Sequence, residues 1–428
     1  MLSRLPALHW QIAIALVLAI AAGFLLDDSA TFLAVADFLG ELFLNALRML
    51  IVPLIVSSMM QAMLNLPAAS AVGRLGARLL GWIGLSTLLA VIVGMLMINT
   101  FQPGVIDGQP AGETLGLDAS TAQVTERVEG AATSDIADIF LRMLPPNIVG
   151  AAVETQMLGL IVFSLLFGFF ASRLRGELRD QQHRFWQGVY EIMLQITALV
   201  MRFAPIGVFA LVGATVAKTG WEAFGPLLVF FGCVAGALLL HLLVVLPALV
   251  RVLGGVSGFR HLQAMMPALL TAFSTSSSAA TLPVSLDCVQ RRAGVSPSTS
   301  GFVLPLGATV NMNGTALYEC AAALFIAQAY GLDLSLASQF LVVMLALLTS
   351  VGVAGVPSAS LVAIAVILGA IGLPLEGVGL ILAVDRILDM MRTAVNVYGD
   401  TCGAVIIARG EGESPYAADP DSASADHA

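Results

Sequence analysis

Uninterrupted apolar runs of about twenty residues recur along the chain, and this is the length that an α-helix needs to cross a bilayer. The composition agrees, since 58% of the 428 residues are hydrophobic, only 11% are charged, and the mean hydropathy is +0.93. A soluble protein carries about 25% charged residues, and the strands of a membrane β-barrel alternate apolar with polar residues. The sequence therefore predicts an all-α polytopic membrane protein and excludes a cytosolic enzyme, a disordered chain and a β-barrel.

Six long apolar runs predict membrane-spanning helices up to residue 250. They cover approximately residues 8–27, 37–65, 78–101, 143–172, 185–217 and 225–250. Beyond residue 260 the apolar runs are shorter and are interrupted by Ser, Gly, Pro and Asn, which break helices. The last part of the chain is therefore predicted to contain irregular backbone at membrane depth.

The distribution of positive charge indicates the orientation of the chain, because cytoplasmic connections are enriched in Lys and Arg. The chain has one lysine, so the arginines carry this signal. With a cytoplasmic N-terminus, every arginine cluster lies inside provided that 262–292 and 335–372 each enter and leave on the same side, as re-entrant hairpins. We therefore predict a multi-pass protein of the inner (plasma) membrane with both termini in the cytoplasm. The net charge of −9 argues against a nucleic-acid partner, which requires a basic surface.

The two predicted hairpins share one organisation. Each has a tip of small and polar residues, at 274–278 and at 350–358, and each precedes an apolar helix with polar groups, around 311–315 and 385–400. A hairpin followed by a helix, repeated in opposite orientation, is typical of transporters built from inverted repeats. Ordinary helices kinked by serine side chains are the alternative.

The last helix carries charged residues on one face. Spacings of four, three, four and four residues place its polar members on the same side, with Thr393 at the edge. These members are Asp385, Asp389, Arg392, Asn396 and Asp400. A charge in mid-bilayer costs about 2.5–3.5 kcal/mol, so several are expected only where they bind ligands or one another. Carboxylates that outnumber the arginine predict a site for cations and for a carboxylate. A purely structural Asp389–Arg392 ion pair is the alternative.

Four ordered motifs at these positions resemble the dicarboxylate/amino acid:cation symporter family, the glutamate and aspartate transporters. They are TAFSTSSSAATLP at 271–283, NMNGTALYE at 311–319, GVAGVP at 352–357 and DMMRTAVNVYGD at 389–400. Weaker similarity at 47–53 and 204–210 extends the resemblance over nearly the whole chain.

The resemblance implies an elevator-type glutamate transporter fold with eight transmembrane helices, two re-entrant helical hairpins, inverted repeats and a homotrimeric assembly in the lipid bilayer. Helices one, two, four and five would form a scaffold, and the other elements a transport domain that moves across the membrane. The ranges are 1–77 (scaffold helices one and two), 78–142 (helix three and an extracellular loop), 143–220 (scaffold helices four and five), 221–408 (the rest of the transport domain) and 409–428 (a cytoplasmic tail).

The resemblance also implies residue roles in the import of L-aspartate or L-glutamate by symport with Na⁺, H⁺ or both. Arg392 would bind the side-chain carboxylate of the substrate, and Asp389 its ammonium group. The other substrate-binding positions would be Ser276, Ser277, Ser278, Thr315, Val356, Thr393 and Asn396. One Na⁺ would be held by Asn311, Asn396, Asp400 and the carbonyl of Gly307, and a second by the Met312 sulfur with the carbonyls of Thr309, Ser350, Val351 and Val353. No organic cofactor is implied.

Two departures from the family pattern concern ion coupling. Asn313 replaces an aspartate that binds a third Na⁺ in Na⁺-coupled members, and Ile83 replaces its tyrosine partner, although Ser86 and Thr87 remain. A hard cation needs anionic oxygen, so this third site is predicted to be weakened. Glu319 occupies a position associated in the family with proton carriage, and burial in an apolar helix favours the neutral form of a carboxyl group. Proton coupling through Glu319 is therefore predicted, with a permanently protonated glutamic acid as the alternative.

A third departure concerns arginine. Members of the family carry an additional arginine at the position of Ser276 or of Met390, and this chain has neither. Arg386, one turn before Met390, either replaces it or extends outward to the membrane surface.

Other functions remain open from the sequence. A C4-dicarboxylate:cation symporter and a neutral amino acid carrier would have the same fold. An intramembrane serine hydrolase would pair a serine of 276–278 with His183, His241 or His261, but it needs a Gly-flanked nucleophile that the sequence lacks. The sequence therefore predicts a transporter and not an enzyme.

Overall fold

The computed structural model is mainly helical and describes residues 8–27, 29–65, 69–112, 115, 141, 143–154, 156–219, 224–332, 334–352, 360–375 and 377–416. The helices are α1 (Leu8–Leu25), α2 (Ala30–Asn65), α3 (Ala69–Phe101), α4 (Ile148–Val153), α5 (Met157–Ser172), α6 (Glu177–Arg202), α7 (Ala204–Thr219), α8 (Phe224–Leu240), α9 (Leu246–Gly254), α10 (Gly258–Thr275), α11 (Ser278–Asp287), α12 (Pro297–Val310), α13 (Asn313–Ala329), α14 (Leu336–Gly352), α15 (Ser360–Ala370) and α16 (Gly377–Gly410). Short π-helical segments, His241–Val245 and Cys288–Arg292, follow α8 and α11. A two-stranded antiparallel hairpin, β1 (Val105–Ile106) and β2 (Gln109–Pro110), follows α3.

The helices sort into two packing groups. In the first group α1 packs against α7, and α2 packs against α5, α6 and α7. In the second group α3 packs against α8 and α13, while α16 packs against α8 to α13. Contacts between the groups are fewer and run mainly from α2, α5 and α7 to α14, α15 and α16. The long polar helix α16 therefore lies at the centre of the second group.

Two of the described helices are long and apolar enough to cross a membrane by themselves, at Leu75–Phe101 and Gly225–Gly254. Glu177–Val200 and Ala204–Lys218, bent by 51° against each other, would make a third span. The span predicted over 185–217 is therefore formed by two helices bent against each other, because Pro205 cannot donate the hydrogen bond that would continue α6 into α7.

The span predicted over 143–172 also requires correction, because it is divided into α4 and α5. Pro145 and Pro146 prevent a helix from starting at 143. The helix α4 begins instead after Asn147, whose side chain accepts hydrogen bonds from the backbone N–H groups of Val149 and Gly150.

The predicted interruptions in the last third are present where they fall on described residues. The helix α10 ends at Ser276, which has left-handed dihedrals (φ 50°, ψ 36°), and Ser277 caps α11 by accepting a hydrogen bond from the Ala280 N–H. The helices α12 and α13 are separated by Asn311 and Met312, which have non-helical dihedrals. The tip predicted at 350–358 lies largely outside the described residues, although α14 and α15 on either side of it pack together.

The residues after α16 form a short segment that folds back onto the second helix group, which we call the C-terminal strap (residues 411–416). Glu411 forms an ion pair with Arg78 on α3. The hydroxyl of Tyr416 is hydrogen-bonded to Nδ1 of His261 on α10, at 2.7 Å. The predicted tail 409–428 thus begins within α16, its described part 411–416 is docked on the second helix group, and residues 417–428 lie outside the described residues.

Glu413 is the strap residue that holds the start of α12. Its carboxylate accepts hydrogen bonds from the backbone N–H of Ser296 at 2.8 Å, from the Ser296 hydroxyl at 2.7 Å and from the Thr299 hydroxyl. Partial burial disfavours its charge, but these bonds outweigh that effect and lower the pKa of Glu413 below its ordinary value. The strap therefore fastens α12, whose other end carries Asn311.

We expect Glu413→Gln to lower the thermal stability of the detergent-solubilised protein at neutral pH. The loss is about 1 kcal/mol or less, because the carboxylate is partly screened by solvent. A lowered folded-state pKa means that this stabilisation is present above the unfolded value of about 4.3 and disappears as the pH falls through the folded value. Melting curves of the variant and the wild type should therefore differ at pH 7 and converge on acidification. The exposed Glu191→Gln is the control, and an equal effect of both variants would contradict the role of the strap.

Candidate functional site

The polar face predicted on the last helix is confirmed as one buried surface of α16. Asp385, Asp389, Arg392, Thr393, Asn396 and Asp400 are each at most 5% exposed. The face is continuous because α16 has no break between Gly377 and Gly410, so the predicted three- and four-residue steps are kept.

Arg392 is held by two carboxylates of its own helix. Its Nε and Nη2 donate to Oδ1 of Asp389 at 3.0 and 2.8 Å, and its Nη1 donates to Oδ1 of Asp385 at 3.2 Å. Its Cζ lies 4.5 Å from the ring centroid of Tyr318 on α13, a cation–π distance. The guanidinium is thus fixed by charge on its edge and by an aromatic ring on its face.

Arg386 also reaches this group of charges. Its Nη1 lies 3.4 Å from Oδ2 of Asp389, and its side chain is 19% exposed. Of the two orientations open from the sequence, the side chain therefore takes the inward one. Arg386 thus adds a second positive charge beside Asp385 and Asp389, and with Asp400 the carboxylates of the face still outnumber its arginines.

Asn396 links the charged face to the break between α12 and α13. Its Oδ1 accepts hydrogen bonds from the backbone N–H groups of Gly314 at 2.8 Å and Thr315 at 3.3 Å. Its Nδ2 donates to the Thr315 hydroxyl at 3.0 Å and to the Met312 sulfur at 3.2 Å. The N–H groups at the start of α13 would otherwise have no partner, so Asn396 satisfies the end of a helix that begins inside the protein.

Asp400 forms a second polar group, at the end of α12. Nδ2 of Asn311 donates to Oδ1 of Asp400 at 2.9 Å, and the Ser86 hydroxyl on α3 lies 3.5 Å from Oδ1 of Asn311. A methyl group on Gly307 would lie only 2.6 Å from the same Asp400 oxygen. The carboxylate is therefore packed directly on the backbone of α12, and its oxygens are hard ligands of the kind that small cations prefer.

We expect Gly307→Ala to displace the Asp400 carboxylate and weaken cation binding by about 10- to 100-fold, the range seen when the direct support of a ligand is lost. The matched control is Gly301→Ala on the same helix, where an added methyl group would meet nothing within 4 Å. The measurement is the Na⁺ concentration that half-maximally protects the purified protein against thermal unfolding. Equal Na⁺ dependence of the two variants would contradict the assignment of Gly307.

The serines at the tip of the first hairpin, residues 276–278, have different surroundings from one another. Ser276 and Ser278 are buried, and the Ser276 hydroxyl has no hydrogen-bond partner among the described residues. The Ser277 side chain is used in capping α11. Both helices of this hairpin pack against α16, but of the opposite tip Val356 lies outside the described residues.

The second predicted cation site lies only partly within the described residues. The Met312 sulfur accepts a hydrogen bond from Asn396, and Thr309, whose carbonyl is the predicted ligand, lies in the last turn of α12. Ser350 is buried near the end of α14, which contacts α12. Val351 is the penultimate residue of the same helix, and Val353 lies outside the described residues.

The third cation position is polar but carries no charge. Asn313 is fully buried, and neither its Oδ1 nor its Nδ2 has a partner among the described residues. The Thr87 hydroxyl is buried and equally unpartnered within that part of the chain, whereas Ser86 bonds to Trp82 and approaches Asn311. Asn313 and Thr87 thus keep polar atoms without a partner in the described interior, and neither residue supplies a carboxylate to favour a cation.

Glu319 is fully buried on α13. The Thr349 hydroxyl on α14 donates to its Oε2 at 2.7 Å, and its Oε1 has no partner in the described structure. No described arginine or lysine forms an ion pair with it. A lone carboxyl group of this kind is far more easily buried neutral than charged.

One of the three histidines considered in the hydrolase alternative, His261, has other partners. Its ring nitrogens are bonded to the hydroxyls of Tyr416 at 2.7 Å and Thr401 at 3.2 Å. Neither nitrogen is therefore available to a serine of the first hairpin. This geometry gives no support to serine hydrolysis through His261.

Some contacts of the site were not predicted. Tyr318 under Arg392, Thr349 at Glu319, and Trp82, whose indole N–H donates to the Gly399 carbonyl at 3.1 Å, all come from other helices. A polar or aromatic side chain inside an apolar helix is the only signal of them in the sequence.

Comparison with known proteins identifies the family to which this chain belongs. A proton/glutamate-aspartate symporter of Escherichia coli (strain K12) is 36% identical over 410 residues, covering 95% of this chain and 93% of that protein. A proton/sodium-glutamate symport protein of Bacillus subtilis (strain 168) is 36% identical over 402 residues, covering 94% and 92%. Excitatory amino acid transporter 3 of Mus musculus is 35% identical over 410 residues, covering 86% and 78%. With a family model that matches residues 8–410, the chain belongs to the sodium:dicarboxylate symporter family.

Proposed function

We propose that this protein imports acidic amino acids, L-aspartate or L-glutamate, by symport with Na⁺, H⁺ or both. The observation that carries the proposal is the buried Arg392, held by Asp389 and Asp385 beside the break between α12 and α13. A guanidinium offers a planar fork to a carboxylate, and a carboxylate beside it offers a partner to an ammonium group. An acidic amino acid carries both groups. The names of relatives that cover most of the chain support the same substrate class.

The substrate would bind by exchanging partners with these residues. Its side-chain carboxylate would take Arg392, and its ammonium group would take Asp389. The remaining polar atoms would be held by Thr315, Thr393, Asn396, Ser278 and the backbone of Ser276 and Val356. The short distance from Asn396 to Thr315 supports this part of the assignment.

The co-transported cations would bind on the opposite side of Asn396 from Arg392. Asp400, Asn311 and Gly307 are in contact and would hold one Na⁺ together with Asn396. A second Na⁺ would lie at the helix ends that carry Thr309, Met312, Ser350, Val351 and Val353. Asn313 with Ser86 and Thr87 would be a weakened third site, and Glu319 would carry a proton.

The two packing groups support an elevator mechanism. The first group, α1, α2 and α4 to α7, would be the scaffold within 1–77 and 143–220. The second group would move as the transport domain, formed from 78–142 and 221–408. Eight transmembrane helices, two re-entrant hairpins, a homotrimer and cytoplasmic termini in the inner membrane complete this proposal.

Uptake into proteoliposomes tests the function directly. Radiolabelled L-aspartate and L-glutamate should accumulate when a Na⁺ gradient or a pH gradient is imposed separately. Accumulation under neither gradient would contradict symport.

L-Aspartate should be preferred to succinate by at least about tenfold, because succinate leaves Asp389 without its ammonium partner. The measurement is the inhibition of labelled L-aspartate uptake by unlabelled succinate and by unlabelled L-aspartate. The ratio of the two inhibition constants gives the preference. If both compete equally, the protein is a C4-dicarboxylate carrier.

A further inference from the structure

We propose that Arg386 is a second arginine of the substrate site. Arg386 holds the Asp389 carboxylate while Arg392 binds the side-chain carboxylate of the substrate. This inference rests on the proposed function, because it assigns a step in the binding of an acidic amino acid.

Asp389 lies between two guanidinium groups of its own helix. Arg392, three residues later, donates to its Oδ1 at 2.8 and 3.0 Å, and Arg386, three residues earlier, reaches its Oδ2 at 3.4 Å. The two arginines therefore use different oxygens of one carboxylate. Asp389 is consequently able to lose one arginine and keep the other.

The charges of the group balance only when Arg386 is included. Asp385 and Asp389 carry two negative charges, and Arg386 and Arg392 carry two positive charges. An acidic amino acid brings two carboxylates and one ammonium group, a net charge of −1. Without Arg386 the site would already be negative before this anion entered, and like charges repel strongly in a buried site.

In the proposed binding step Arg392 changes partners. Three of its five N–H donors are used, and the Nε–Nη2 fork is taken by Asp389, so a substrate carboxylate that binds this fork displaces Asp389. When Arg392 turns to the substrate, Asp389 loses the shorter of its arginine contacts while still buried, which is costly for a charged group. Arg386 already contacts Asp389. Its Nε–H is buried without a partner in the described structure, so this group can donate a further hydrogen bond to Asp389.

A neutral amino acid makes a different demand on the site. It has no side-chain carboxylate, so it does not draw Arg392 away from Asp389. Arg386 should therefore matter for L-aspartate and much less for L-asparagine, which has nearly the same shape. Disturbed folding around Asp389 would weaken both ligands alike, so this difference identifies a positioning role.

The test uses the purified full-length protein in Na⁺ and measures the Kd of L-aspartate by calorimetry and the Ki of L-asparagine by displacement of labelled L-aspartate. Arg386→Ala should weaken L-aspartate about tenfold, as expected for one buried charge, and L-asparagine less than about twofold. Arg386→Lys should recover most of the L-aspartate affinity, whereas Arg386→Gln should not. Arg409→Ala is the control, since Arg409 is exposed at the end of the same helix.

Each other outcome counts against the assignment. Unchanged L-aspartate affinity in Arg386→Ala, equal weakening of both ligands, or Lys and Gln variants of equal affinity would overturn it. If Arg386→Ala fails to fold, the difference in L-aspartate affinity between Arg386→Lys and Arg386→Gln tests the same role. A wild-type protein that binds no acidic amino acid would contradict the proposed function, whereas tight wild-type binding with unaltered variants would contradict the role of Arg386 alone.

Discussion

Arg392→Ala is expected to abolish the binding of acidic amino acids. Truncating one partner of a buried charge pair costs about 2–5 kcal/mol, which corresponds to roughly 30- to 5,000-fold in Kd. The substrate carboxylate would face Asp385 and Asp389 with no guanidinium between them. The measurement is calorimetric titration of the variant with L-aspartate and L-glutamate.

The alanine variant removes a partner from two buried carboxylates, so its folding requires a control. Arg392→Lys keeps the positive charge near Asp385 and Asp389 but cannot form a planar fork. It should therefore fold like the wild type and still bind acidic substrates weakly. Neutral amino acids should gain relative affinity in Arg392→Ala, because they do not need the guanidinium. Unchanged affinity for L-aspartate in either folded variant would contradict the carboxylate role of Arg392.

The sequence predicts those features that depend on spacing along one helix. The shared buried face of α16 follows from steps of three and four residues, and the helix breaks at 276–277 and 311–312 follow from polar tips in apolar surroundings. These local rules hold in the membrane because each unpaired backbone group is expensive there. They place Asp389, Arg392, Asn396 and Asp400 together without any knowledge of neighbouring helices.

Contacts between helices cannot be predicted from residue spacing along one helix. Tyr318 is far from Arg392 in sequence, and only the packing of α13 on α16 places its ring against the guanidinium. Arg386 lies at the edge of the polar face, where helical position alone permits an inward or an outward side chain. The docking of 411–416 was equally hidden, because a polar segment after a membrane helix has the composition of a free tail.

Glu319→Gln is expected to remove the dependence of uptake on a proton gradient while keeping substrate exchange. Glutamine has the same shape, and its Oε1 can still accept the hydrogen bond from the Thr349 hydroxyl. It cannot gain or lose a proton. Thr349 belongs to α14, directly before the predicted tip of the second hairpin, so the protonation of Glu319 would be linked to that element.

The number of Na⁺ ions provides an independent measurement on the same preparation. With Asn313 in place of a carboxylate, the third cation site should be mostly empty, and the Hill coefficient for Na⁺ should not exceed about two. Asn313→Asp should raise it toward about three, since the Hill coefficient is limited by the number of sites. Asn313 is buried without a partner among the described residues, so the added carboxylate would have no arginine or lysine to neutralise it except a bound cation.

The decisive comparison is between uptake driven by a pH step alone and uptake driven by Na⁺ at fixed pH. In the wild type the pH step should accelerate uptake, and in Glu319→Gln it should have no effect, because the only change is the loss of an ionisable group. A pH response that persists in Glu319→Gln would place the proton on another residue. A wild-type Hill coefficient of about three, with no response to the pH step, would show that the third Na⁺ site works without its carboxylate. In that case Glu319 would be a permanently protonated group that only donates and accepts hydrogen bonds.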